Sequence, residues 1–532
     1  MSELSLPLLL VLVVMPALGA VVPRSFLTAR GARRVLLLVT EIELVLAIAV
    51  AAAFHFGGEG GILVDPLDPA RSFFGRPFLF VDELSSLLLP FGALVFGIVA
   101  LVLPRTERHR ASTRRILAME ACTLGVFLTA EPVLLAALWV FSTLPGYREL
   151  STGPRARGAE GLYMLGSIVL FTAGVVLEYF SDIASPAGRL ADVLILGAVL
   201  TRKGIVPFHS WMVGFFEHAA LPTAILFSAP QLGAYAAARL IVPHAPDALL
   251  TVIGVASLAT AVYGAGLALV QSSARRAFGA FFMSQSALVM AGLDSRTTLG
   301  LAGGLALWIS SGVALAGFGM TIAALEARRG SLSLRTYSGG YQRTPFLATS
   351  FLFFGLAAVG FPGTLSFAGE EALVDGVVDD FPQMAIAVMM TSALNGLLVL
   401  RAYFRLFGGA RVHIHAFQQT RPQERAGFLL VMGVLLALGL APRSFLMSRQ
   451  RAAEAIFRGR YRDVTSSAPG VELDERALTA ALPPDDSIGR SRPSESYEGG
   501  SLHDRRTTRA LRQSGDLSQG WPGSENARLD RR

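Results

Sequence analysis

Lys203 is the residue whose type and surroundings most clearly suggest chemistry. Of the 46 lysine and arginine residues in the chain, it is the only lysine, and it lies inside an apolar stretch. A charged group at membrane depth costs at least about 2.5–3.5 kcal/mol, so its presence needs a reason. Arginine effectively never releases its proton, whereas a lysine held away from water can release and regain one. The simpler alternative is a side chain that snorkels to the membrane surface, as neighbouring Arg202 could do.

Four further titratable residues lie in or beside apolar stretches, namely Glu120, His209, His218 and Glu370. Glu370 precedes Glu371, and adjacent carboxylates favour proton uptake by one of them, unless Glu371 faces water. Histidine titrates nearest neutral pH and can relay protons, although a histidine in a loop is more often structural. Glu120 could act with Lys203, or it could lie near the membrane surface, one turn from Arg115.

Four other acidic residues invite structural interpretations. Glu41 and Glu43 lie in the second apolar stretch, where we expect helix packing or an interfacial position. Asp82 and Glu83 open the third stretch, where a helix N-terminus favours anions. We expect a structural role for all four.

The elements that must position these residues are membrane helices. The chain has 532 residues, of which 52% are hydrophobic and only 16% charged, whereas soluble proteins carry about a quarter charged residues. Apolar stretches near the roughly 20 residues needed to cross a bilayer recur along the chain, and lipid requires them to be helical. The predicted fold is an all-α polytopic membrane protein of about fourteen helices. They are 4–22, 34–55, 81–103, 115–130, 132–146, 161–180, 190–209, 218–242, 248–270, 276–293, 298–326, 345–371, 382–407 and 425–447.

The composition also excludes several function classes. The formal net charge of +7 comes from arginines in loops and in the C-terminal tail, which indicates membrane topology and not nucleic-acid binding. Cys122 is the single cysteine, so no internal disulfide and no cysteine metal site can form. No phosphate loop, dinucleotide fingerprint or Cys/His cluster occurs. We therefore expect no cofactor in this chain, and any electron transfer would belong to another subunit.

Arginine clusters in alternate loops predict the orientation. Loops such as 105–115, 148–157 and 328–343 are arginine-rich, so they are predicted to be cytoplasmic, with both termini on the opposite side. The tail, residues 448–532, differs in kind from the rest. Arg449 to Arg462 could form a basic amphipathic helix on the membrane surface, and the polar sequence beyond it predicts disorder.

Two predicted helices contain breaks. Pro207 interrupts the helix that carries Lys203, and the segment from Phe361 to Glu371 interrupts a later one. Broken helices mark ion sites in transporters, and a break in each half of a chain indicates inverted repeats. The first break lies beside Lys203 and the second beside Glu370.

Six segments together resemble a known family. They are Glu120 to Leu128, Lys203 to Trp211, Ala220 to Thr223, Gly233 to Arg239, Gln271 to Arg276 and Pro362 to Glu370. The chain resembles the antiporter-like subunits of respiratory complex I and of multisubunit cation/proton antiporters, nearest to the M chain of bacterial complex I. The segment from Lys203 to Trp211, with its Pro-x-His-x-Trp signature, is the most specific of the six. The resemblance covers roughly residues 80 to 410.

The resemblance implies fourteen helices, with helices four to eight and nine to thirteen as inverted repeats. Residues 1–113 would hold the first three helices, 114–410 the conducting core, 411–447 the last helix and 448–532 the tail. Protons are thought to pass along a central polar axis in this family. The residues expected to form it here are Lys203, Glu370, His209, Glu120, Gln231 and Ser311, together with Ser284, Gln285, Ser286 and Ser310, with bound water.

Three positions depart from the family pattern. The family's helix-five glutamate falls on Val140, its helix-eight lysine on Gln231 and its helix-eleven histidine on Ser311. Gln231 and Ser311 can form hydrogen bonds but cannot store charge, and Val140 leaves Lys203 without the acid that tunes it. These departures put complete pumping in question.

The expected function is a proton-translocating membrane subunit of an NADH-quinone oxidoreductase-like or cation/proton antiporter complex. Its partners would be other membrane subunits, the lipid bilayer and protons, and its location the bacterial cytoplasmic (inner) membrane. One alternative is an energy-coupling subunit of an inorganic carbon uptake pump, with a large soluble zinc protein as its partner. Another is a structural subunit that no longer conducts, which the losses at Val140, Gln231 and Ser311 favour.

Overall fold

The chain is almost entirely helical in a computed structural model. The structure describes residues 2–22, 28–57, 61–67, 77–107, 112–152, 158–181, 185–378, 382–409 and 420–466. The helices of the first half are α1 Leu8–Val21, α2 Ala29–Phe56, α3 Ser85–Val102, α4 Thr113–Phe127, α5 Pro132–Thr152, α6 Gly158–Tyr179, α7 Pro186–Lys203, α8 Ser210–His218, α9 Leu221–Ser228 and α10 Leu232–Ala236, which continues as a π-helical segment, Ala237–Ile241. Those of the second half are α11 Asp247–Val270, α12 Ala274–Leu293, α13 Thr298–Arg329, α14 Pro345–Ala358, α15 Leu365–Val378, α16 Pro382–Phe407, α17 Pro422–Leu440 and α18 Arg443–Ser466.

Each of the fourteen predicted spans overlaps a helix or a set of consecutive helices, so the protein is a multi-pass membrane protein. Among the described residues, eight of these segments are by themselves long and apolar enough to cross a bilayer. The 32-residue α13 is buried along nearly all of its length, and helices on several sides pack against it. It therefore forms the centre of the bundle.

A small three-stranded sheet lies beside the N-terminus. Strand β1 (Ser2–Glu3) pairs in parallel with β2 (Leu63–Val64), which pairs antiparallel with β3 (Phe80–Val81). Just after β2, the Asp65 carboxylate accepts hydrogen bonds from the backbone N–H groups of Leu9 and Leu10, at 3.1 and 2.6 Å. These bonds satisfy donors that the start of α1 leaves free.

Small residues permit the closest helix contacts, as at the Gly303–Gly304 pair. A Cβ added to Gly304 would lie 2.7 Å from the Cα of Gly292, and one added to Gly303 would lie 2.4 Å from the backbone nitrogen of Leu373. The helices α12 and α15 thus pack against α13 backbone to backbone.

Both predicted helix breaks are confirmed. Helix α7 ends at Lys203, where Gly204 adopts a left-handed conformation (φ 67°), and α8 begins only at Ser210. Helices α14 and α15 are separated around Gly360 and Gly363, whose φ angles are 75° and 87°. A side chain is disfavoured at such angles, so glycine permits these turns.

A third break was not predicted. The span expected to run unbroken over 218–242 consists of α9, α10 and the π-helical segment. Pro230 supplies no backbone N–H, and Gln231 adopts a left-handed conformation with φ 51°. Both residues lie between α9 and α10, so the path of this span turns at Gln231.

The prediction of a surface helix from Arg449 to Arg462 is wrong at its first residue. Arg449 in α18 is fully buried and donates hydrogen bonds to the backbone oxygens of Leu84 and Glu83, at 3.2 and 2.9 Å. Helix α18 packs against α13 and buries its apolar side chains, among them Ala452 and Ala453. The predicted disorder concerns residues beyond 466, which lie outside the described part of the chain.

Candidate functional site

Lys203 is the last residue of α7, and its side chain points into the bundle. Only 2% of the residue is exposed, and Nζ donates a hydrogen bond to Oε1 of Gln231. The side chain also packs against α10, because a Cβ added to Gly233 would lie 2.9 Å from Lys203 Cγ. The break after α7 therefore places the only lysine of the chain in the protein interior, beside a neutral amide.

Gln231 is held in place by the third break. Its left-handed backbone turns the amide toward Lys203, and Trp308 of α13 donates a 3.0 Å hydrogen bond to the backbone oxygen of Pro230. Gln231 Nε2 is buried without a hydrogen-bond partner, as is the hydroxyl of Ser311, one turn from Trp308 on α13. Unpaired buried polar groups of this kind can bind water. The predicted axis residues Gln231 and Ser311 thus both lie near the turn between α9 and α10.

Arg202 does not snorkel, contrary to the alternative raised for it. The residue is 7% exposed, and its guanidinium donates to the hydroxyls of Thr143 and Ser142 at 2.7 and 3.1 Å. It also lies over the rings of Trp139 and Phe227, with 4.5 and 4.6 Å from Cζ to the ring centroids. These contacts hold the guanidinium of Arg202 against helix α5, near Val140, where the family has an acid.

Separate hydrogen bonds link the first break to α11, α11 to α12, and α12 to α16. The backbone N–H of Val206, in the break, donates to the hydroxyl of Thr260 at 3.1 Å. The next residue on α11, Ala261, accepts a 2.8 Å hydrogen bond from Ser284 of α12, which accepts in turn from Nδ2 of Asn395 at 2.9 Å. The sequence predicted a role for Ser284, whereas Thr260 and Asn395 were missed.

Helix α16 also contacts Glu370 at the second break. Ser392 lies one turn before Asn395 on α16, and its hydroxyl donates a hydrogen bond to Oε1 of Glu370. A Cβ added to Gly360 would lie 2.2 Å from Oε2 of Glu370, so the carboxylate fills the bend of the broken helix. Glu371 is exposed, which agrees with the alternative that this residue faces water. Glu370 therefore has a neutral hydroxyl partner, as Lys203 has a neutral amide.

Glu120 is fully buried on α4, among the packed helices. Its carboxylate oxygens have no hydrogen-bond partner, and its carboxylate lies close enough to that of Glu43 for electrostatic repulsion. Glu43, on α2, is also fully buried without a hydrogen bond. Glu120 thus interacts electrostatically with Glu43, whereas the charge of Lys203 interacts with that of Asp294.

Asp294 was missed by sequence reasoning. It follows the last residue of α12, is 4% exposed, and neither carboxylate oxygen has a hydrogen-bond partner. Its charge is near enough to that of Lys203 for an attractive interaction. A signal existed, because an aspartate directly after the apolar run of α12 is unusual at a helix C-terminus, where the dipole disfavours anions.

The remaining predicted residues lie at the edge of this axis. His209 is half-buried in the first break, with its ring edge-on to Tyr263 at 5.1 Å between centroids and a buried, unpaired Nδ1. His218, at the end of α8, lies 2.9 Å from the backbone oxygen of Gly214 and close to Glu160. Gln285, Ser286 and Ser310 are buried in α12 and α13. Only His209 adjoins the Lys203 break.

Asp82 confirms the structural role predicted for it. Its carboxylate accepts from the backbone N–H of Ser85 and forms a bidentate ion pair with Arg239, at 2.5 and 2.8 Å. Burial alone would raise the pKa of Asp82, which precedes the membrane span, but the charge and hydrogen bonds of Arg239 outweigh burial and lower that pKa to about 2. Arg239 is also bonded to Tyr235, whose hydroxyl donates to the backbone oxygen of Thr129 at 2.9 Å.

Metal binding has no support in the part of the chain that the structure describes. No group of three or more His, Cys, Asp or Glu side chains that could hold a metal ion occurs there. Lys203, Glu370 and Asp294 are the titratable groups of this site, and the hydrogen-bonding partners of the first two are a neutral amide and a neutral hydroxyl.

Known membrane proteins are similar to this chain in sequence and in fold. Residues 158–395 match the family described as NADH:quinone oxidoreductase/Mrp antiporter, TM. The chain is 23% identical to NAD(P)H-quinone oxidoreductase chain 4 3 of Trichormus variabilis, over 64% of this chain and 70% of that protein. It is 21% identical to F(420)H(2) dehydrogenase subunit M of Methanosarcina mazei, over 71% and 83%. A chain of the Mrp complex from Dietzia sp. shares the fold, with a TM-score of 0.73 at 21% identity, over 85% of this chain and 97% of that one.

Proposed function

Because the chain belongs to the antiporter-like membrane subunits of NADH:quinone oxidoreductases and Mrp antiporters, we propose that it moves protons across a membrane. It would do so as one subunit of an NADH-quinone oxidoreductase-like or cation/proton antiporter complex. Within the chain, protons would bind to Lys203 and Glu370 and pass between them through the polar residues of α11, α12 and α16.

The observation that carries this proposal is the environment of Lys203. The ammonium group is buried and bonded to the neutral amide of Gln231, and within the described residues it forms no ion pair. A buried ion pair would be costly to neutralise, because removing one charge leaves the other uncompensated. Because the Gln231 amide is neutral, loss of the Lys203 proton leaves no uncompensated charge on this partner.

Glu370 complements Lys203 at the other break. The hydroxyl of Ser392 can donate to the carboxylate, as in the structure, or accept from the protonated acid after a rotation of the hydroxyl. The route between the two breaks combines the hydrogen bonds of Thr260, Ser284 and Asn395 with water molecules. A proton entering at one break would then leave from the other.

The rest of the assembly follows from the same proposal. Residues 114–410 would be the conducting core, and residues 1–113 and 411–447 would flank it. Other membrane subunits would hold the redox cofactors or complete the cation path, and the complex would lie in the bacterial cytoplasmic membrane. The predicted orientation places the arginine-rich loops on the cytoplasmic side.

The test is proton movement by the intact complex after substitution of Lys203. The complex that copurifies with the chain is reconstituted into liposomes containing a pH-sensitive dye, and proton movement is driven by its own reaction, first with NADH and a quinone. Lys203→Ala and Lys203→Arg should both lower the rate at least about 100-fold, since neither side chain exchanges a proton. Arg189→Ala, an exposed cation on the same helix, is the matched control and should leave the rate unchanged.

A second candidate is a structural subunit that does not conduct, which the uncharged residues Val140, Gln231 and Ser311 favour. Proton movement per quinone reduced is measured in the Lys203→Ala and Glu370→Gln variants. If it is unchanged in both, the chain is a structural subunit and the proposed proton translocation is wrong. The proteins that copurify also discriminate, since a respiratory complex brings iron–sulfur clusters and an inorganic carbon pump would bring a zinc protein.

A further inference from the structure

Asp294 carries a further inference, which rests on the proposed function. Its carboxylate is buried, has no hydrogen-bond partner on either oxygen, and lies within electrostatic range of Lys203. A buried carboxylate without partners is costly, so packing alone does not account for it. Its position explains more, because it directly follows α12 and lines a cavity.

One face of α11 connects Asp294 with the Lys203 break. Gly254 contacts Asp294, since a Cβ added to Gly254 would lie 3.5 Å from Asp294 Cβ. Two turns further along α11, the Thr260 hydroxyl contacts the backbone of Val206. Ser257 lies between them at three-residue spacing, so it shares their helix face, and its buried hydroxyl has no hydrogen-bond partner.

Asp294 also lines a cavity at the end of the bundle. The cavity has a volume of about 20 Å³, room for one water molecule, and its lining includes Thr251, Gly254, Thr297 and Gly376. The exposed Arg296 is part of its rim and donates a 2.5 Å hydrogen bond to the hydroxyl of Thr251. Asp294 therefore borders water-sized space and packs against Gly254 of α11.

We propose that Asp294 is the proton acceptor through which Lys203 exchanges protons with the arginine-poor end of the bundle, by way of the Ser257 hydroxyl and bound water. In the outward step an N–H bond of the Lys203 ammonium breaks and an O–H bond forms on Asp294, which leaves a neutral amine and a neutral acid. Asp294 then gives the proton to water in the cavity and becomes a carboxylate again. The balance is one proton moved, with no oxidant or reductant.

The experiment substitutes Asp294 in the reconstituted complex described above. Asp294→Asn keeps the shape but cannot bind a proton, and it should lower the rate of proton movement at least about 10-fold. Asp294→Glu should retain at least half of the rate. Asp375→Asn, an exposed carboxylate on α15 near the same end, is the matched control and should have no effect.

Two further variants place Asp294 on the Lys203 route. Adding Asp294→Asn to Lys203→Ala should cause no further loss, because residues that act in one path are not additive. Ser257→Ala should cause a smaller loss, about 3-fold, since water can replace the hydroxyl. An additive double variant would overturn the inference.

Infrared spectroscopy keeps the inference testable if Asp294→Asn fails to assemble. A carboxyl C=O band in the pH-difference spectrum of the wild-type complex should shift in Asp294→Glu, and the absence of any shift would overturn the inference. Normal proton movement in Asp294→Asn, with loss in Lys203→Ala, would overturn the role of Asp294 and leave the proposed function standing. Normal proton movement in Lys203→Ala would contradict both the proposed function and the role of Asp294.

Discussion

Charged side chains are held differently at the ends of the helix bundle and in its interior. At the arginine-rich end, carboxylates lie directly against guanidinium groups, at 2.7 Å for Arg275–Glu326 and 2.6 Å for Arg276–Glu217. Arg239 and Asp82 form a bidentate pair toward the opposite end. In the interior, Lys203 and Glu370 have an amide and a hydroxyl as partners.

The difference separates charges that hold the fold from charges that can change. Opposite charges in contact favour each other's ionised form. A neutral partner has a much weaker preference between the charged and neutral forms. The interior groups are therefore the ones whose protonation can change during a transport cycle, and four predictions test this division.

The largest effect on stability is expected from an end pair. Arg239→Ala leaves the partly buried Asp82 carboxylate without its partner, which should lower the free energy of unfolding by about 2–3 kcal/mol. The loss in the free energy of unfolding is measured by unfolding the purified complex in mixed micelles. Arg458→Ala, which removes an exposed cation 3.5 Å from Glu454, is the control and should change stability by less than about 1 kcal/mol. Equal effects of the two substitutions would contradict the division.

Glu370→Gln should affect activity and leave the fold intact. The amide keeps the shape and the hydrogen bond with Ser392, but it cannot bind a proton, so proton movement should fall about 100-fold. Unfolding should be unchanged within about 1 kcal/mol. The neighbouring exposed residue provides the control, since Glu371→Gln should retain full activity. A loss of activity shared by both variants would remove Glu370 from the route.

Gln231→Glu should give Lys203 an oppositely charged partner, like those of the arginines at the ends of the bundle. The new carboxylate would pair with the Lys203 ammonium and favour its charged form, so proton movement should slow about 10-fold while the fold remains stable. Gln231→Met removes the amide without adding a charge and shows what loss of the hydrogen bond alone does. If the methionine variant slowed transport as much as the glutamate variant, the neutral partner would not be the important feature.

The smallest effect concerns pH and the Asp82–Arg239 pair. The pKa of Asp82 is lowered to about 2 in the folded protein, below its ordinary value of 3.8, so the pair stabilises the fold fully above about pH 4. That contribution is lost only as the pH falls toward 2. The stability difference between wild type and Asp82→Asn should therefore be constant from pH 8 to about 5. A difference that changed within that range would show that Asp82 titrates there, as an interior group would.

Much of the fold could be predicted because membrane helices are local. The fourteen apolar stretches depend only on composition, and the breaks at Pro207 and Gly363 only on residues that disfavour a continuous helix. The break at Gln231 was missed because its surroundings are apolar and a single proline need not end a helix. The burial of Arg202 was missed because adjacent helix residues point about 100° apart, so burial of Lys203 says little about its neighbour.

The sequence by itself determined the membrane class, the helices and the presence of one lysine among many arginines, since each depends on residue type and spacing alone. Only the tertiary structure decided what each charged group contacts. Lys203 lies beside Gln231 and within range of Asp294, while Glu120 interacts electrostatically with Glu43, and these residues are far apart in the chain. Contacts of that kind depend on how whole helices pack, and in a broken helix a small change of direction reassigns every contact beyond the break.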